Sequence, residues 1–214
     1  PDEMDLQAII NSLLDYFVAL AAVQTGDDNT DAEMRVYCAY SFPAVVLLLG
    51  PDHWDGAVRT CFFTLLNPRF PEDPGEDDDE PPLPVKRCLA SSLHTIAHIL
   101  GDADDIMDVV QNSFLTDPDD SVRLSTLRNF PSLLKLLSPK QRRAPFAKWA
   151  EVVNELLSTN QSRSATNPTV LNWRQRDYLA RCLPDLIVLL EPPLVHKQIW
   201  SILKMLLRDS VNVV

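Results

Sequence analysis

Four stretches of this chain can be set beneath one another: RVYCAYSFPAVVLLL (35–49), KRCLASSLHTIAHIL (86–100), RLSTLRNFPSLLKLL (123–137) and RDYLARCLPDLIVLL (176–190). Each opens on a basic residue, Arg35, Lys86, Arg123 or Arg176. Seven residues on stands a bulky apolar side chain, Phe42, Leu93, Phe130 or Leu183, and fourteen on a leucine, Leu49, Leu100, Leu137 or Leu190. Between these anchors lie Val45, Ile96, Leu133 and Leu186, then Val46, Ala97, Leu134 and Ile187. Offsets of 7, 10, 11 and 14 share one stripe of an α-helix. The four stretches therefore read as copies of one amphipathic helix. The position after the bulky residue is Pro43, His94, Pro131 or Pro184. A proline inside a helix removes a hydrogen bond and kinks it, so its recurrence predicts a shared curvature.

The basic residues are 51, 37 and 53 positions apart, and each long interval holds an insert. Residues 67–84 contain six prolines and the acidic run Glu72–Glu80, and residues 158–171 are rich in Ser, Thr and Asn. Neither composition suits helix or core, so both read as loops. Without them the period falls to about 37–42 residues, near that of two-helix repeats. Further amphipathic runs, Met4–Val23, His53–Leu66, Asp105–Leu115, Pro145–Leu157 and Leu194–Leu207, supply the first helix of each pair. The fold expected is all-α, a HEAT-repeat α-solenoid (an α–α superhelix) of about four and a half helix-pair repeats. The repeats are placed at 4–50, 51–101, 102–138, 139–191 and an incomplete 192–214. Asp117-Pro118-Asp119-Asp120-Ser121-Val122-Arg123 reads as a turn entering a helix, its carboxylates accepting the free N–H groups of the first turn. Leu207–Val214 resembles a second such turn without its helix, and the chain starts at Pro1. A piece of a longer protein is expected.

Composition narrows the function. Among 214 residues, 30 Asp and Glu oppose 19 Lys and Arg, a net charge of −11. That balance disfavours nucleic acid, whose affinity comes largely from basic contacts to phosphates, and anionic membrane surfaces. The charge is uneven: residues 1–84 hold 17 acidic and 3 basic side chains, residues 85–214 hold 13 and 16. Two regions with different partners are implied. Cys38, Cys61, Cys88 and Cys182 are scattered in apolar runs, without the clustering of a disulfide scaffold or zinc site. A reducing compartment, cytoplasmic or nuclear, is expected. No signal peptide opens the chain, and no uncharged apolar run nears the ~20 residues of a membrane span.

No catalytic pattern stands out. His94 and His98 share a helix face as in H-E-x-x-H sites, but Thr95 stands where the glutamate would be and no third ligand is evident, so no metal is expected. Asp104/Asp105 and Asp119/Asp120 read as helix N-terminal charges and not as an acid–base pair. No nucleophile elbow, P-loop or dinucleotide fingerprint occurs. Neither enzymatic activity nor a cofactor is expected. Lys140-Gln141-Arg142-Arg143 is short for a basic localisation signal, and Glu72–Glu80 reads as a solvated loop or as an arm toward a basic surface. The most informative cluster is Asn172-Trp173-Arg174-Gln175-Arg176. Tryptophan and arginine at an exposed helix start are the types enriched at interface hot spots. Trp173 packing between repeats, with the arginines merely solvated, explains the cluster equally well.

Several of these runs together resemble a known family. Phe42-Pro43 through Gly50 with His53-Trp54, Lys86-Arg87 through Leu100-Gly101-Asp102, Val122-Arg123 through Leu137, and Asn172-Trp173-Arg174 are similar to the protein phosphatase 4 regulatory subunit 1 family, relatives of the protein phosphatase 2A scaffold subunit. The likeness runs from about Arg35 to Val214, and the two inserts depart from it. It implies a non-catalytic subunit that holds a phosphatase catalytic subunit, of protein phosphatase 4 or 2A type, and steers phosphoprotein substrates to it. In the related scaffold, loops inside each repeat form the docking ridge, and a Trp-Arg pair matching Trp173 and Arg174 touches the catalytic subunit. Arg176 and Arg123 are added as cations on the same inferred ridge. A karyopherin-like or assembly HEAT protein, and a HEAT-like DNA glycosylase needing a basic groove, are the competing functions.

Overall fold

A computed structural model describes residues 3–22, 25–66, 83–102, 104–161, 171 and 173–208. Among these residues the regular structure is helical throughout, with no strand. The chain forms two compact units, residues 1–101 and 102–214, divided in the sequence between the second and third expected repeats.

In the first unit, α1 (Glu3–Ala21) and α3 (Arg59–Leu66) form one layer, and α2 (Asp28–Leu49) and α4 (Leu83–Leu100) the other. Their apolar stripes close on an aromatic cluster. Phe42 lies 6.0 Å from Phe17 and 5.6 Å from Phe62 between ring centroids, and Trp54 lies 5.7 Å from Phe62. Trp54 belongs to a segment expected to be helical from His53. The structure instead makes a tight turn over Pro51–His53 and a break at Asp55 (ψ 122°) and Gly56 (φ 112°, ψ −123°), so the helix begins at Arg59. Only glycine adopts the Gly56 conformation without strain.

In the second unit, α5 (Asp104–Asn112), α7 (Arg143–Gln161) and α10 (Trp200–Leu206) make one layer, and α6 (Asp120–Leu136) and α8 (Trp173–Leu189) the other. A short α9 (Pro192–Leu194) and a widened turn over Val195–Ile199 lead into α10. A tight turn at Phe114–Thr116 follows α5 where the periodicity had predicted helix to Leu115. Trp149 stacks between Phe130 and Phe146 at 5.7 and 5.6 Å, fully buried. Each unit is thus a two-layer stack of helix hairpins, the HEAT architecture, in which no hairpin could bury its apolar face alone.

The aligned stripe faces the core. Phe42, Leu93, Phe130 and Leu183 are at most 3% exposed, and Val46, Ala97 and Leu134 at most 1%. Ile187, at 43% exposure, breaks the pattern. The matching flank of α6, Leu127, Pro131 and Leu134, is buried, and Arg128 beside it reaches Tyr178 of α8. On α8 the same flank has no helix against it among the described residues, which leaves Pro184 and Ile187 exposed. Pro43, Pro131 and Pro184 lie inside α2, α6 and α8 as expected.

Both inserts are shorter than expected. Leu83 and Pro84 already belong to α4, where proline fits the first turn because its missing N–H has no partner there anyway. Ser158–Gln161 continues α7, the Ser158 hydroxyl donating back to the Asn154 carbonyl at 2.7 Å. The rest of both inserts apart from Leu171, and the turn expected after Arg208, lie outside the described residues.

Helix ends differ between the units. Gly50 and Gly101, each fifteen residues after its basic residue, take positive φ (80° and 70°) and donate their N–H to Val46 and Ala97. The second unit has Ser138 and Glu191 there. Arg142 takes over: its Nε donates to the Leu134 and Leu137 carbonyls at 3.0 and 2.9 Å, and one terminal nitrogen to the Leu189 carbonyl at 2.9 Å. One guanidinium thereby binds carbonyls at the ends of both α6 and α8, where helix carbonyls run out of intrahelical partners.

By length and composition alone, Asn29–Leu49 within α2 could cross a membrane, and 33% of it is buried. In this fold α2 is a core helix on one side, and Asp31, Glu33 and Arg35 occupy its first turns.

Candidate partner-binding surface

Leu171, 4% exposed, anchors the chain just before α8. Arg176 donates to the Leu171 carbonyl at 2.6 Å, folding its guanidinium back over the helix start. Trp173, the first residue of α8, is 40% exposed, and the Arg174 guanidinium lies 4.8 Å from its ring centroid. Such a pair gives a broad aromatic surface with a cation already seated on it. Behind it, Arg181 pairs with Asp177 at 2.9 Å, which raises the Arg181 pKa, and Arg128 of α6 sits 5.0 Å from the Tyr178 ring. Exposed arginine and aromatic groups are what a partner's carboxylates and apolar side chains can use.

Arg123 stands at the corresponding place on α6 but is only 7% exposed. Its guanidinium donates to the Asp117 and Pro118 carbonyls and pairs with Asp120. Asp119 caps the helix, accepting from the N–H groups of Ser121 and Val122 at 3.0 and 3.1 Å. The turn expected over 117–123 is present. Arg123 and Arg176 therefore act alike: each reaches back five or six residues to hold the turn before its helix. Arg123 faces into its turn, whereas Trp173 and Arg174 face solvent. Lys86 on α4 is buried at 7%. In the first unit, Asp31 accepts from the Thr25 hydroxyl at 2.7 Å and from its N–H at 2.9 Å. The hydroxyl bond, then the N–H bond and the Arg35 charge, lower its pKa.

His94 is half-buried with Nε2 3.4 Å from the Thr95 hydroxyl, and His98 is exposed. Among the described residues no three His, Cys, Asp or Glu side chains gather where they could hold a metal ion. Two features escaped sequence reasoning. Arg142 was hidden in a basic run that suggested surface charge. The outer face of α2 carries Tyr37, Tyr40, Leu47 and Leu48, each at least 66% exposed, and only a repeat-by-repeat comparison of that face reveals it.

Fold and surface together define a HEAT-repeat protein without a recognisable catalytic constellation among its described residues. The chain is homologous to a segment of the protein phosphatase 4 regulatory subunits. Over 203 residues, 94% of its length, it is 32% identical to serine/threonine-protein phosphatase 4 regulatory subunit 1 of Homo sapiens, and equally to that of Mus musculus. It is 22% identical over 161 residues, 72% of the chain, to regulatory subunit 4 of Mus musculus. The chain spans 18% of the length of regulatory subunit 1 and 17% of that of subunit 4. No protein-family model matches it, and no solved structure does.

Proposed function

We propose that the chain is part of a non-catalytic regulatory subunit of a serine/threonine phosphatase of the protein phosphatase 4 class. It binds the catalytic subunit through the turn edge where α8 begins, with Trp173 and Arg174 as contacts. Arg176 and Arg123 hold that edge in shape. Kinship with two phosphatase 4 regulatory subunits supports the reading. The observation that carries the site is the exposed Trp173 ring with Arg174 stacked on it. The chemistry and any metal ions belong to the bound phosphatase, and phosphoprotein substrates are selected on the assembled complex. Unpaired thiols at all four cysteines suit a cytoplasmic or nuclear setting.

The test is titration of purified phosphatase 4 catalytic subunit into the chain and into Trp173→Ala. The variant is expected to bind at least fivefold more weakly, about 1 kcal/mol or more, with unchanged helical circular dichroism. Equal affinity in a folded variant removes the site. No binding by either chain removes the phosphatase reading for this segment and favours a carrier or assembly role.

A further inference from the structure

We propose that the face shared by α6 and α8 grips an acidic segment of the partner protein, a step that rests on the docking edge assigned above. Arg128 and Arg174 are its carboxylate clamps. Five arginines stand on these two helices, and three of them are engaged. Arg123 holds the Asp117 and Pro118 carbonyls and pairs with Asp120, Arg176 holds the Leu171 carbonyl, and Arg181 pairs with Asp177. Arg128 and Arg174 have no carboxylate partner among the described residues. Each lies instead on an aromatic ring, Arg128 5.0 Å from the Tyr178 centroid and Arg174 4.8 Å from that of Trp173.

A guanidinium resting on a ring is held in place while N–H groups on its edge remain to donate two hydrogen bonds to one carboxylate. The two clamps are neighbours. Tyr178 follows Arg174 by four residues, about 6 Å along one side of α8, and Arg128 reaches that ring from α6. Carboxylates two residues apart in an extended segment are separated by ~7 Å, so one short segment can meet both.

The face is open where the two repeats meet. Arg128 packs on Tyr178 of the following repeat and is still exposed, as are Ser132 and Lys135 beyond it. Asp120, the position on α6 that matches Trp173, keeps a side chain 41% exposed with α8 in place. Counter-charge is scarce there. Of the acidic residues on the two helices, Asp120 and Asp177 are already paired, and exposed Asp185 stands two turns past Tyr178. In the turn before α6, Asp117 is buried and Asp119 caps the helix. Asp104, Asp105 and Asp108 of α5, and Glu151 and Glu155 of α7, belong to the other layer. A chain of net charge −11 thus turns a locally basic, aromatic face outward, which favours Asp and Glu in the partner over Lys and Arg.

The test titrates purified phosphatase 4 catalytic subunit into the chain and its charge variants. Affinity should fall severalfold from low to physiological salt. Arg128→Glu and Arg174→Glu should each weaken binding about tenfold or more, and Arg128→Lys severalfold, with native circular dichroism. Lys140→Glu, an equal charge change on the exposed turn after α6, should bind like the parent. If Trp173→Ala weakens binding while both reversals match the parent, or Lys140→Glu weakens it as much as they do, the acidic clamp is wrong and the docking edge stands. If the catalytic subunit does not bind at all, random peptides displayed on phage and selected on the chain decide. Enrichment of Asp- and Glu-rich sequences that a chain with both reversals no longer captures keeps the clamp, for another partner. No enrichment, enrichment of neutral or basic sequences, or undiminished capture by the double variant overturns it. Tighter binding of single-stranded RNA than of the selected peptide overturns it too, and assigns the face to nucleic acid.

Discussion

Arg142→Ala tests whether one side chain secures the second unit. Its Nε and one terminal nitrogen make three hydrogen bonds of 2.9–3.0 Å to carbonyls at the ends of α6 and α8. A bond from a charged donor contributes ~1.5–3 kcal/mol. Three share one guanidinium that is half-buried, so water reaches part of the vacated site and the contributions do not add in full. The expected loss is about 3 kcal/mol, a large part of the ~5–15 kcal/mol that holds an ordinary domain folded. Arg142→Lys keeps the charge but not the fork, and is expected to lose about 2 kcal/mol. The neighbouring Arg143 pairs with Glu191 at the surface, with side chains 64% and 51% exposed. Arg143→Ala should therefore cost under about 1 kcal/mol. Urea unfolding followed by tryptophan fluorescence in a Trp54→Phe background reads the second unit alone, since Trp149, Trp173 and Trp200 all lie there. Equal losses for Arg142→Ala and Arg143→Ala, or an Arg142→Lys chain as stable as the parent, would refute the capping role.

Two further outcomes follow from titrating groups. Asp31 has its pKa lowered below the ordinary 3.8 by the Thr25 hydroxyl first, then the Thr25 N–H and Arg35. Its stabilisation is therefore complete above that value and lost as pH falls through it toward the native pKa, so the gap in urea midpoint between the parent and Asp31→Asn should be full at neutral pH and shrink in acid. Burial pushes the Cys61 and Cys182 thiols up to about 12. At mildly alkaline pH, Ellman's reagent should react first with half-buried Cys88, a phase that Cys88→Ser removes, and should reach Cys61 and Cys182 only after unfolding.

The fold was legible because burial repeats. Phe42, Leu93, Phe130 and Leu183 could be aligned before any helix was placed, and all four are core residues. Local breaks were not. Asp55 and Gly56 interrupt a run whose apolar periodicity reads as continuous helix, because periodicity records which side chains are buried and not whether the backbone stays helical. The turn at 117–123 could be read from its capping chemistry. The inward reach of Arg123 could not, since a basic residue beside acidic ones serves equally as a surface cation or as a bracket for carbonyls. Trp173 was singled out by residue type and position, and its ring is 40% exposed.

The same bracket explains where the chain tolerates change. Arg123 and Arg176 each fold back onto the carbonyls preceding their own helix, so the starts of α6 and α8 are each fixed by a contact within a few residues. The loop beyond that contact can then lengthen without unseating the helix, because closing a longer loop costs only about 0.6 kcal/mol per doubling of its length. The insert between α7 and α8 lies at such a place, and the other lies between α3 and α4. The opposite turns are held by Gly50, Gly101 and Arg142 and stay short. In the second unit the insert thereby falls beside the start of α8, which carries Trp173 and Arg174, and away from the turn that Arg142 holds.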